Sequence, residues 1–253
     1  MSYINLISKP NYSIIELKRG RANPINQEMV DELSKAINLL EDDDSVKGII
    51  ITGQPDFFSV GLDIIELFEY DEIQIKKFFK DFGRLFIELN SFTKIHISAI
   101  NGYAPAGGTL LAIPSDYRIM ADDKKFKIGL NEVSVGVAPS QRMIDSYSFV
   151  LGDAISSKLT LQGSLLSPIE ALKFGLVDQL SEKDLVITNA EKKMDEMLKG
   201  DFNIYKFAKK KLRSNLLSKL NYNDENELTE ILKIWWEPSS RYRIKNLITK
   251  LKK

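Results

Sequence analysis

Between Ala99 and Glu132 the chain reads AINGYAPAGGTLLAIPSDYRIMADDKKFKIGLNE, and three of its features could do chemistry. Gly107-Gly108 makes a tight turn into an apolar helical pattern of Leu110, Leu111, Ala112 and Ile113. The first amides of a helix have no intrahelical acceptor, so the Gly107 amide is expected to be a free donor. Glu132 follows in mostly apolar company, with Ile128, Leu130, Val133, Val135 and Val137. An acid buried there would have a raised pKa, which suits a group that takes a proton and returns it. The alternatives are an exposed loop acid or an N-cap partner. The third feature is an absence: Leu110 puts hydrocarbon in the first helical turn, where a second acid could have stood. One base, backbone donors and no partner acid suggest a proton moved within a substrate rather than water added to it.

A second glycine turn lies upstream, in Phe58-Ser-Val-Gly-Leu-Asp63. With a helix starting near Asp63, the Leu62 and Asp63 amides are expected to point outward, unsatisfied, at its positive end. The same residues also read as an ordinary βα turn with Asp63 as N-cap. Two free donors from separate loops form the geometry that stabilises an oxyanion on a thioester or ester carbonyl.

Other chemistries find little support. Cysteine is absent, which excludes disulfides, thiolate metal sites and cysteine nucleophiles. The one histidine, His96, sits in the strand-like KIHISAI and reads as a packing or hydrogen-bonding residue, leaving no histidine metal cluster. With 35 basic and 35 acidic residues the net charge is zero, so neither nucleic acid nor an anionic membrane is the expected partner. Basic residues do gather near the C-terminus, among them Lys209, Lys210, Lys211, Arg213, Arg241 and Arg243. They read as solvated helix faces, or else as a local attraction for a phosphate-bearing ligand. No apolar run reaches membrane-spanning length, and neither a signal or transit pattern nor the peroxisomal tripeptide is seen. The expectation is a soluble, cytoplasmic protein.

The elements that must position these residues alternate in the first half of the chain. Tyr3–Ile7 and Ser13–Lys18 read as a hairpin, and Pro24–Asp43 has helical spacing. Gly48–Gly53 and Ile95–Ile100 read as strands buried on both faces, with a long amphipathic helix over Glu72–Leu89 between them. Tyr117–Ala121 and Lys125–Ile128 read as further strands. After Gly136 the pattern is helical: Ser140–Leu151, Ala154–Leu161, Pro168–Phe174, Lys183–Lys199, then Asn203–Lys253 with a break at Pro238. Strands alternating with helices imply an α/β core, followed by a helical tail bearing Trp235 and Trp236.

The motifs FFSVGLDIIEL, SAINGYAPAGG, SDYRIMADD, IGLNEVSVG and PIEALKFGLVDQL resemble, in order and spacing, those of the crotonase (enoyl-CoA hydratase/isomerase) superfamily. Within it they are most similar to its mitochondrial-type Δ3,Δ2-enoyl-CoA isomerase branch. The resemblance covers nearly the whole chain. It implies a spiral core of ββα units over residues 1–199 and a C-terminal helical region, residues 200–253, for trimer assembly, with a hexamer of two trimers as the variant. It implies an acyl-CoA substrate whose thioester oxygen is held by the amides of Leu62 and Gly107. Val60, Gly61, Leu62, Asp63 and Ile64 would line the coenzyme A path, Asn131 would sit beside the substrate, and Glu132 matches the catalytic acid. Leu110 matches the place where hydratases carry their other glutamate. The implied reaction moves a double bond from C3–C4 to C2–C3 in fatty acid β-oxidation, with no metal and no cofactor beyond the coenzyme A of the substrate.

Two departures bear on the transfer. Val60 stands where alanine is common, and Ala138-Pro-Ser-Gln141 differs from the glycine-rich turn of hydratases. The competing expectations are hydration or thioester hydrolysis by Glu132 with an acid from elsewhere, and an acyl-CoA-binding protein without catalysis. Glu66 and Glu170 are poorly placed by motif position to be that second acid.

Overall fold

The computed structural model describes residues 2–251. β1 (Ile4–Ser8) and β2 (Tyr12–Leu17) form the expected antiparallel hairpin, and α1 (Gln27–Asp42) follows, capped by the Asn26 side chain. The chain then repeats one unit: a strand in a large sheet, a short strand in a small sheet, and a helix. β3 (Gly48–Thr52), β4 (Asp56–Phe57) and α2 (Ile64–Leu67) make the first, extended by the long α3 (Glu72–Ser91). β5 (Ile95–Ile100), β6 (Gly102–Pro105) and α4 (Gly107–Ala112) make the second. β7 (Tyr117–Ala121), β8 (Ile128–Gly129) and α5 (Glu132–Val135) make the third.

The remaining elements are α6 (Gln141–Leu151), α7 (Asp153–Gln162), α8 (Pro168–Phe174), β9 (Gln179–Ser181), α9 (Val186–Met197), α10 (Phe202–Leu220), α11 (Glu225–Trp236) and α12 (Pro238–Leu251). The large sheet runs β1-β2-β3-β5-β7-β9, parallel from β2 onward, and the small one β4-β6-β8, also parallel. This is the α/β spiral core with C-terminal helices that the resemblance implied.

Parallel strands buried on both faces need unbroken apolar side chains. Ile49, Ile50 and Ile51 of β3 and Ile97, Ala99 and Ile100 of β5 supply them, all fully buried. Only one residue, Asn101, separates β5 from β6 as the chain crosses between sheets. Its amide donates to the Gly53 and Gln54 carbonyls at 2.8 and 2.9 Å, tying its corner to the matching corner of the preceding unit.

Besides the short strands β4, β6 and β9, which the pattern did not mark, the sequence pattern departs from the structure in three places. The strand expected over Lys125–Ile128 shrinks to Ile128–Gly129, because Asp123 makes a turn, accepting from the Lys125 and Phe126 amides. The tail is broken not only at Pro238 but also after Leu220, where Asn221 Nδ2 donates to the Leu217 carbonyl and Asn223 Oδ1 accepts from the Glu225 amide, local bonds that compete with the helix. The C-terminal basic residues are not all solvated: Lys209 and Arg213 are buried. Both converge on Asp116, at 2.6 and 2.9 Å, and join α10 to the sheet. Trp235 packs on the chain's own core, edge-on to Phe79 at 5.6 Å.

Candidate functional site

The three ββα units deliver the N-terminal ends of α2, α4 and α5 to one place. Leu62 precedes α2, Gly107 opens α4 and Glu132 opens α5, and all three line one cavity with Leu110. The cavity, partly open to solvent, has a volume of about 70 Å³, and its walls are mostly apolar, with Phe79, Phe82 and Phe86 from α3.

The loop before α2 is held by side chains the sequence reading did not single out. Ser59 Oγ donates to the Asn23 carbonyl at 2.7 Å and accepts from the Gly61 amide at 3.1 Å. Asn23 Nδ2 donates to the Phe58 carbonyl at 3.0 Å. Residues 61–63 then run beside Ile25: the Ile25 amide donates to Gly61 O and the Asp63 amide to Ile25 O, each at 2.8 Å. The expectation that both Leu62 and Asp63 amides are free is therefore half corrected. Alternation along extended backbone turns the Asp63 amide toward Ile25 and the Leu62 amide away from it. Among the described residues the Leu62 amide has no backbone acceptor.

Gly107 comes within contact of this loop. A Cβ on Gly61 would lie 3.0 Å from the Gly107 nitrogen, and one on Gly107 would lie 3.3 Å from the Leu62 nitrogen. Two backbones this close leave no room for side chains, and Gly61 also has φ +85°, which favours glycine. The preceding Ala106 adopts φ 49° and ψ −118°, a conformation that strains an L-residue. That strain turns the chain so that α4 begins with an amide free of intrahelical acceptors. The turn is fixed from behind: Ala106 N donates to Gly129 O, and Thr109 Oγ1 donates to Ala104 O at 2.6 Å while accepting from Gly129 N at 2.8 Å. Thr109 thus couples α4 to β8, which leads directly to Glu132. Its only sequence signal was a hydroxyl in the first turn of an otherwise apolar helix.

Glu132 is buried, and its Oε2 has no hydrogen-bond partner among the described residues. Burial pushes its carboxyl up from 4.5 to about 7. Of the readings left open, an exposed loop acid is excluded, and Glu132 starts a helix rather than capping one from outside. Leu110, 1% exposed, shares the cavity and offers the acid no polar neighbour. Asn131 stands at the N-cap of α5 with its Oδ1 buried and unpartnered among the described residues.

Other predicted site residues lie beside the cavity rather than on its wall. Val60, Gly61, Asp63 and Ile64 do not line it. Asp63 accepts from the Glu66 amide at 3.0 Å as the N-cap of α2 and pairs with Arg19 at 2.6 Å. The N-cap reading of that turn holds, and of the other reading only the Leu62 amide stays without a backbone acceptor among the described residues. Glu66 is held by Arg19 and Tyr70, and Glu170 closes an exposed capping box with Ser167, so neither reaches Glu132's cavity. The acids that do line it, Asp224 and Glu227, were missed, since they come from the helical tail some ninety residues on. Both are committed elsewhere: Asp224 pairs with Arg142, and Glu227 accepts from Tyr222 and the Gln141 amide.

His96 packs edge-on to Phe92, with neither ring nitrogen bonded among the described residues. Burial pushes its pKa down to about 3, so the ring is neutral and inert.

Residues 10–234 match the family described as Enoyl-CoA hydratase/isomerase. The chain is 35% identical over 187 residues to "Enoyl-CoA delta isomerase 1, mitochondrial" of Mus musculus, covering 74% of this chain and 65% of that protein. It is 34% identical over 178 residues to a probable enoyl-CoA hydratase of Mycobacterium bovis, covering 70% of this chain and 68% of that protein. The match to the mouse isomerase therefore spans a little under two thirds of that relative's length. The crystal structure of human mitochondrial delta3-delta2-enoyl-CoA isomerase superposes with a TM-score of 0.95 at 26% identity, covering 99% of this chain and 98% of that one.

Proposed function

The chain belongs to the enoyl-CoA hydratase/isomerase family, and from that premise we propose that it is a Δ3,Δ2-enoyl-CoA isomerase of fatty acid β-oxidation. The observation that carries this reading is a single buried carboxylate with a free oxygen, in a cavity where the facing helix presents Leu110. In this reading the thioester oxygen of a 3-enoyl-CoA accepts from the Leu62 and Gly107 amides. The Glu132 carboxylate removes a proton from C2, which the thioester acidifies. Negative charge moves onto the oxygen of the dienolate, where preorganised donors in a dry site are worth most. Glu132 then returns its proton to C4, and the double bond lies between C2 and C3.

No group is gained or lost, so the step needs no cofactor, and coenzyme A enters as part of the substrate. Val60, Gly61, Asp63 and Ile64 border the coenzyme A path in this reading, with Asn131 beside the acyl group. Hydration would require a second acid to hold water. The two further carboxylates at the cavity, Asp224 and Glu227, are already engaged by Arg142, Tyr222 and the Gln141 amide, which favours isomerisation. Assembly as a homotrimer, or two trimers, belongs to the same proposal.

The test is to supply the purified protein with a 3-enoyl-CoA and, separately, a 2-enoyl-CoA. Conversion of the first to the conjugated product is expected, with Glu132→Gln slowing it roughly 10²–10⁴-fold. Appreciable hydration of the second would overturn the reading in favour of a hydratase. Release of free coenzyme A would favour a hydrolase, and tight binding without turnover a non-catalytic acyl-CoA protein.

A further inference from the structure

One buried cation in this cavity takes no part in the chemistry above. Arg142, on α6, is buried and lines the same space as Glu132. Its guanidinium holds the connection between α10 and α11 at three points. Nε donates to the Leu220 carbonyl at 2.8 Å, Nη2 to the Tyr222 carbonyl at 3.0 Å, and Nη1 to the Asp224 carboxylate. The group also lies over the Tyr222 ring, 4.6 Å from its centroid. On the other side Gly83 of α3 faces it: a Cβ there would sit in ordinary contact, 3.5 Å from Nη1. A second clasp sits alongside, where Glu227 accepts from the Gln141 amide at 2.5 Å and from the Tyr222 hydroxyl.

Residues 221–224 lead straight into α11, whose Leu228 and Ile231 complete the apolar wall begun by the α3 phenylalanines. The acyl carbons beyond the reacting ones have this apolar space to enter, between the α3 phenylalanines and α11. Its outer limit is set by where α11 stands, and α11 stands where Arg142 pins its entrance.

We propose that Arg142 is a specificity-determining residue that fixes acyl-chain length by clasping the 221–224 strap and holding α11 as the end wall of the acyl pocket. The proposal rests on the acyl-CoA reading of the cavity. Acyl groups that fit between α3 and α11 as they stand bind with the clasp intact. Longer ones must displace α11, which breaks the Arg142–Asp224 pair and leaves a buried guanidinium without its carboxylate. Arg142 acts through position: it neither transfers a proton nor touches the thioester.

The experiment measures kcat/KM for the full-length protein over a 3-enoyl-CoA series from hexenoyl to dodecenoyl, with wild type, Arg142→Ala and Asp224→Ala. Affinities for the saturated acyl-CoAs of the same lengths are measured in parallel. Wild type is expected to fall off with length, by roughly tenfold or more for each misfitting methylene near the limit. In both variants the long-to-short ratio is expected to rise about tenfold, in turnover and in affinity alike. An unchanged ratio in variants that keep their circular dichroism and bind the shortest acyl-CoA would overturn the proposal. Should wild type turn over no 3-enoyl-CoA, the isomerase reading fails while the affinity series still decides the role of Arg142. Asp224→Ala keeps the two carbonyl contacts and serves if Arg142→Ala does not fold.

Discussion

Burial of Glu132 beside Leu110, with its Oε2 unpartnered, holds its carboxyl near pH 7 and gives activity and stability opposite pH dependences. As a base the group must be ionised, so kcat/KM for a 3-enoyl-CoA is expected to climb as pH rises through about 7. Stability runs the other way. Below the unfolded pKa of 4.5 the group is neutral in both states and costs nothing. As pH rises toward the folded pKa of about 7, the native state increasingly pays for a proton it holds more tightly, and above it the full penalty is present. Glu132→Gln, neutral at every pH, should therefore unfold like wild type at pH 4 and be more stable at pH 8, by about 3 kcal/mol. Denaturant melts at the two pH values check this, and equal differences at both would show that burial is not what shifts the group. Gly61 offers a separate test at this scale. A Cβ there meets the Gly107 nitrogen at 3.0 Å and a φ of +85°. Gly61→Ala should thus cost about 1–3 kcal/mol and, by parting the two amides, roughly a hundredfold or more in turnover. Retained turnover would remove Gly107 from the proposed donor pair.

At the scale of elements, the site is the place where three equivalent helix starts meet. Each ββα unit crosses from the large sheet to the small one and ends at a helix whose first amides or first side chain face the cavity. Gly107 and Glu132 sit on helices of six and four residues and Leu62 just before one of four, all too short to stand alone, so their placement depends on the strands before them. The tail is secured by a different device. Burial alone would raise the Asp116 carboxyl, but Lys209 and Arg213 outweigh it and hold it below the ordinary carboxylate range. Tyr205 adds a hydrogen bond at 2.6 Å. Asp116→Asn would leave two buried cations unmatched. A loss of about 3 kcal/mol or more is expected in urea unfolding, with α10 loosening first in hydrogen exchange. Wild-type stability in this variant would mean that the cations find water or other acceptors.

At the scale of the whole molecule, α10 carries large apolar side chains outward. Phe207 is 64% and Leu212 74% exposed, and Leu212 flanks a groove of about 590 Å³ with the half-exposed Phe149 of α6. Side chains of that size are costly to leave in water, and a second copy of the chain is the occupant the trimer proposal supplies. Light scattering is expected to give about three times the chain mass of 28.8 kDa, or six times for paired trimers. Leu212→Glu should shift the population toward monomer. A wild-type monomer at micromolar concentration would remove assembly from the proposal.

The sequence by itself determined the local rules: apolar runs that can only be buried strands, glycine turns that bring backbones together, and an acid embedded among aliphatic residues. These were legible because each depends on neighbours a few positions away. Gly107, Leu110 and Glu132 could be chosen this way, and the hairpin, α1 and α3 fell within a few residues of their expected ends. Tertiary structure decided what depends on distant partners. The Asp63 amide is satisfied because Ile25 lies beside it, and Lys209 and Arg213 are buried because Asp116 receives them. The third wall of the cavity, with Arg142, Asp224 and Glu227, forms only when the tail folds back across α3. A charge in a helical pattern reads as solvated until something long-range takes it out of water, and no local spacing encodes that pairing.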